Sequence, residues 1–139
     1  LIPSVIKAKT FQVIGNNGQV LVTMGANSNG DGLVEISNAK GETIAIMGAS
    51  FFGDGFVFIY NAEGKPIAQM LTDSDGHGLV RAHNSEGRPV AEIATDPNGD
   101  GCVMISNAEG KPVVEIGTDP NGNGVVMTRN TKGVVDSWP

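Results

Sequence analysis

Aromatic residues are scarce in this sequence, at 5% of the chain, which excludes a core organised around large rings. The interior has to be assembled from Val, Ile, Leu, Met and Ala in thin layers, and that suits a narrow, elongated body. Cysteine is nearly missing. The lone Cys102 excludes an intrachain disulfide framework and any multi-cysteine zinc site, and it stands where other copies of a repeat carry Leu, Phe or Val, so it reads as core. Basic residues are few and unclustered: nine Lys and Arg face fifteen Asp and Glu, for a net charge of −6. The concentrated positive surface that holds nucleic acid or an anionic membrane is therefore lacking. No run approaches the ~20 apolar residues a spanning helix requires, so membrane insertion is not expected. The chain begins with Leu1 rather than Met, as a mature or excised product would.

Glycine is abundant, and its spacing is regular. The segments Leu33–Gly41, Phe56–Gly64, Leu79–Gly87, Cys102–Gly110 and Val125–Gly133 follow one another every 23 residues without an insertion, and a more divergent copy, Thr10–Gly18, precedes them in the same register. The chain thus divides into an N-terminal segment, 1–9, and one β-repeat domain, 10–139, with units starting near 10, 33, 56, 79, 102 and 125. Unbroken spacing means that each unit meets its neighbours in the same way.

Within a unit, about five β-branched and apolar residues lead into Asn-Ala-Glu-Gly or a close variant. Asn at the first place of a type I turn, followed by Gly where positive φ is needed, makes a hairpin connection with a bulge. A second strand follows, with Pro66, Pro89 and Pro112 at its first residue, where a missing N–H is tolerated. A loop ending in Gly-x-Gly closes the unit, leaving no room for a helix. Alternation assigns the faces. Val34, Val57, Val80, Val103 and Val126 share a face with Ile36, Ile59, Ala82, Ile105 and Thr128, while Glu35, Phe58, Arg81, Met104 and Met127 point the other way. In the second strand Ala45, Ala68, Ala91 and Val114 align with Met47, Met70, Ile93 and Ile116. A second, partial apolar stripe contains Leu33, Phe56, Leu79 and Cys102.

The fold class expected is all-β: repetitive hairpin units forming an elongated β-solenoid or β-prism-like shaft. Folding of the sheet against itself would bury the first stripe, whereas the second needs another surface. Completion by oligomerisation follows, because small stacked units cannot each enclose a core. The partner is the chain itself, as a trimer or a head-to-tail filament.

The Asn-Ala-Glu-Gly-Lys-Pro turn, the alternating strand after it and the Gly-x-Gly loop resemble the hairpin repeats of bacterial envelope proteins and phage fibres. The resemblance spans residues 10–135. It implies an extended, non-enzymatic shaft of a fibre, stalk or filament, outside the cell or on a cell or virion surface. The alternative is a compact all-β adhesin or binding module, stabilised by calcium or not; a trefoil version predicts similarity at twice the unit, which the sequence does not show.

Two sets of residues stand out as candidate sites. Asp96, Asn98 and Asp100, then Asp119, Asn121 and Asn123, place oxygen side chains at alternate positions before a Gly, as the first half of an EF-hand loop does; Asp73 and Asp75 form a looser version. The Glu that would complete such a loop is absent, with Asn107 and Asn130 in its place. The competing reading is an Asx turn between strands, with no cofactor. The second set is interfacial. Phe51 and Phe52 replace polar loop residues, Trp138 follows the last repeat, and Leu33, Phe56 and Leu79 lie on the partial stripe; aromatic anchors are favoured at interfaces. No nucleophile with a base, or carboxylate pair in a cleft, interrupts the repeat, and His77 and His83 each occur once, so an enzyme is not expected.

Overall fold

In the computed structural model, described here for residues 5, 7–96, 98–130 and, by backbone alone, 135–138, the chain is all-β. Twelve strands form a single sheet in which spatial order equals sequence order. The strands are β1 (Phe11–Ile14), β2 (Val20–Ala26), β3 (Gly32–Ser37), β4 (Thr43–Ala49), β5 (Gly55–Tyr60), β6 (Pro66–Thr72), β7 (Gly78–His83), β8 (Pro89–Thr95), β9 (Gly101–Ser106), β10 (Pro112–Thr118), β11 (Gly124–Arg129) and β12 (Val135–Trp138). Every neighbouring pair is antiparallel, as a meander of tight turns requires.

Both classes of turn use one device. In the Asn-Ala-Glu-Gly turn, Asn107 Oδ1 accepts the backbone N–H of Glu109 and of Lys111, each at 3.0 Å, while Gly110 N–H donates to the Asn107 carbonyl at 2.9 Å. The Gly-x-Gly loop repeats this with Asp96: its Oδ1 accepts from Asn98 N–H at 2.8 Å and Asp100 N–H at 3.0 Å. The glycine in each turn has positive φ, 80° at Gly110 and 89° at Gly99, a conformation that costs an L-residue its Cβ contacts. The turns differ in what they do to the strands. The Asn turns after β3, β5, β7 and β9 carry a register shift, for example between Ile36 and Ser37 and between Ile59 and Tyr60, whereas the pairs joined by Gly-x-Gly loops run in unbroken register. Pro66, Pro89 and Pro112 begin β6, β8 and β10, beside these shifts, as their missing N–H predicts.

The sheet stays open and does not fold on itself. Among the described residues only Leu79 is buried, at 7% exposure, and none is fully enclosed. The expectation that folding back would cover the Val and Ile stripe is therefore corrected: among the described residues each strand meets only its sequence neighbours, β1 and β12 stay apart, and no second layer lies over the first.

Candidate functional site

The two faces of the sheet differ sharply in chemistry. Directly opposed residues of adjacent strands project to the same side, so the register can be followed from strand to strand. On one face, a row runs from Phe11 through Met24, Val34, Met47, Val57 and Met70 to Val80, Ile93, Val103, Ile116 and Val126 without a polar residue. A parallel row holds Ile36, Ala45, Ile59, Ala68 and their equivalents, and becomes polar only at Thr128. This face is solvent-exposed along its length: Met47 is 53% exposed, Met70 56% and Ile93 59%. At mid-sheet it forms an apolar groove between Met47, Val57, Met70, Val80 and Ile93, where Gly55 and Gly78 leave room beside the ridge.

The opposite face is mixed and partly packed. Large residues stand against small ones: Leu33 lies between Gly25 and Gly48, and Gly48 in turn faces Phe56. A Cβ on Gly48 would meet the Gly32 carbonyl oxygen and Leu33 Cδ1, both at 2.8 Å, so the close approach itself requires glycine there. Leu79 becomes buried because its neighbour Leu71 is, unlike the glycines, large. A second row carries charge. Arg81 pairs with Glu92 across β7 and β8, Arg129 with Glu115 at 3.1 Å, and Thr43 Oγ1 donates to Glu35 Oε1 at 2.5 Å. Phe56, Phe58 and Tyr60 line up along β5 with ring centroids 5.0 and 6.2 Å apart. Cys102 also lies on this face, where burial first, and then Glu92 and Glu115, push its thiol up, away from the reactive thiolate.

The interface candidates fall into separate places. Leu33, Phe56 and Leu79 are on the packed, mixed face. Phe51 and Phe52 sit in the loop between β4 and β5, 80% and 85% exposed, their rings edge to face at 5.5 Å. Trp138 ends β12 opposite Val126; its side chain lies outside the described residues. Alternation put Val34, Ile36 and their equivalents on one face but did not show that this face is the uncovered one, because alternation along a strand carries no information about a second layer.

The acidic loops are built as turns. The Oδ1 of Asp73, Asp96 and Asp119 each accepts two backbone N–H groups of its own loop. These bonds hold the carboxyls below their ordinary range, led by His77 N–H at Asp73, by Asp100 N–H at Asp96 and by the Asn123 side-chain amide at Asp119. Asn98, Asn121 and Asn123 thus serve the turns, Asn123 Nδ2 donating to Asp119 Oδ2 at 3.1 Å, and Asp100 Oδ2 accepts from Thr118 Oγ1, at the end of β10, at 2.9 Å. Asp75 joins Asp73 and His77 in one exposed group whose ligand atoms lie within 4.8 Å of one another, with His77 Nδ1 3.4 Å from Asp73 Oδ2. His83, half-buried at the end of β7, has its imidazole pushed below the ordinary value by burial and then by Arg81.

Compared with protein-family models and with curated proteins, the chain matches none.

Proposed function

We propose that this chain is a structural subunit of an extracellular fibre, stalk or filament, and that it assembles by burying its predominantly apolar face against the same face of other copies. The observation that carries this is the unbroken apolar row from Phe11 to Val126 on an open sheet with almost no core of its own. Soluble monomers rarely leave so large a contiguous apolar surface in water. With strands ~4.8 Å apart and each rising ~3.3 Å per residue, the face measures roughly 50 Å by 20 Å, about 1,000 Å². That exceeds the ~800 Å² per partner of a standard stable interface, so a second copy is an occupant of sufficient size. Three inward-facing sheets would close a β-prism-like shaft with strands crossing the axis; head-to-tail stacking would extend it. The placement on a cell or virion surface rests on the resemblance of the hairpin repeat to those of envelope proteins and phage fibres. Such a scaffold needs no catalytic group.

A second reading, a compact all-β adhesin, has one specific observation in its favour: the Phe51–Phe52 tip, the most exposed apolar pair among the described residues. Negative-stain electron microscopy separates the two. Rods or filaments support the structural subunit, and uniform compact globules at high protein concentration overturn it in favour of the binding module.

A further inference from the structure

The assembling face carries methionine on one half only. Met24, Met47 and Met70 recur at 23-residue spacing and stand in the same cross-sheet row, each opposed by valine on β3, β5 or β7. In the next two units the equivalent position is Ile93 and then Ile116. The three methionines are 47%, 53% and 56% exposed. The chain's other methionines, Met104 and Met127, are on the mixed face and partly covered.

We infer that this face is an oxidation-sensitive assembly surface, in which peroxide acting on the free subunit at Met24, Met47 and Met70 blocks association through the β2–β7 half of the sheet. The inference rests on the assembly reading above. In the reaction one peroxide oxygen is transferred to each sulfur: the thioether is oxidised by two electrons to a sulfoxide, and hydrogen peroxide is reduced to water. The product replaces a flexible apolar contact with a strong acceptor oxygen that finds no donor on an opposing Val, Ile and Ala surface, so its burial costs the desolvation of an unpaired polar group. Isoleucine at positions 93 and 116 has no such chemistry. Once the copies are assembled, the same sulfurs are buried and protected.

The test treats the free chain with hydrogen peroxide, locates sulfoxides by peptide mass spectrometry, verifies the retained sheet by circular dichroism, and then measures assembly by light scattering. The expected result is sulfoxide at Met24, Met47 and Met70 and an assembled fraction reduced at least tenfold. Methionine sulfoxide reductase should restore it. The triple variant Met24→Leu, Met47→Leu, Met70→Leu keeps volume and apolarity and should assemble with or without peroxide, while Met104→Leu with Met127→Leu should remain sensitive. Assembly that persists through oxidation at the three sites, or a triple variant as sensitive as the parent chain, overturns the inference alone. Failure of the untreated chain to assemble overturns the assembly reading and this inference with it.

Discussion

The two faces of this sheet are made by the same strands, yet one is held together within the chain and the other is not. On the mixed face, glycines admit Leu33 and Phe56, Leu71 helps bury Leu79, and Arg81 and Glu92 neutralise each other. On the apolar face no small–large interlocking closes over the row, and Met47, Met70 and Ile93 stay more than half exposed. The difference teaches where each face finds its stability: the first in neighbouring strands, and the second, on the assembly reading proposed above, in another copy of the chain.

A charge on each face breaks the comparison most strongly. Val80→Glu places a carboxylate between Met70 and Ile93 on the apolar face and should weaken association by about 100-fold, since an unpaired charge resists burial. Gln69→Glu, on the other face beside Arg81, should leave the assembled mass unchanged. Sedimentation of the two variants against the parent chain checks this; equal loss in both would mean that the faces are not functionally distinct.

Leu79→Ala tests the intrachain side. It removes the one buried side chain among the described residues and should cost about 2 kcal/mol in urea unfolding, with association affected only as far as the fold is lost. A smaller effect follows from the turns. Gly110, at φ 80°, should cost about 1 kcal/mol when replaced by Ala, while Gly124, outside the positive-φ set and with open space around it, should accept Ala with less loss.

Much of this was legible in the residues themselves. The 23-residue spacing gave the strands, the Asn and Gly positions gave the turns, and Pro66, Pro89 and Pro112 marked where second strands begin. Strand alternation also sorted Val34 and Ile36 from Glu35. Two things were not legible. Whether the sheet closes over its own apolar face depends on twist and long-range contact, to which a local pattern is blind. The oxygen pattern in Asp96–Asp100 fits a turn and also a cation loop, and the hydrogen bonds from Asn98 N–H and Asp100 N–H to Asp96 Oδ1 could not be read from that pattern.

The smallest effects are electrostatic and belong to the strand ends and the turns. His83 and the three turn aspartates all have folded pKa values below their ordinary ones, so in each case the unfolded chain binds more protons as pH falls. Stability should therefore decline in two stages. The first begins as pH drops through the ordinary His value near 6.5, and His83→Gln should remove it. The second begins below the ordinary Asp value of 3.8 as the turn carboxylates lose their N–H partners. Asp96→Asn, which keeps the accepting oxygen, should blunt that stage. Thermal melts across pH follow both stages. A chelator added before the melt separates the two uses of the loops: an unchanged melting temperature leaves them as turns alone, and a clear drop assigns calcium to them.

The measurement closest to the central claim is solution mass against protein concentration by analytical ultracentrifugation of the unmodified chain. The account predicts a mass that is a multiple of the 14.4 kDa chain and that falls toward the monomer on dilution or with Val80→Glu. A monomer that persists at high concentration, with its Val, Ile and Met face open to water, would contradict it.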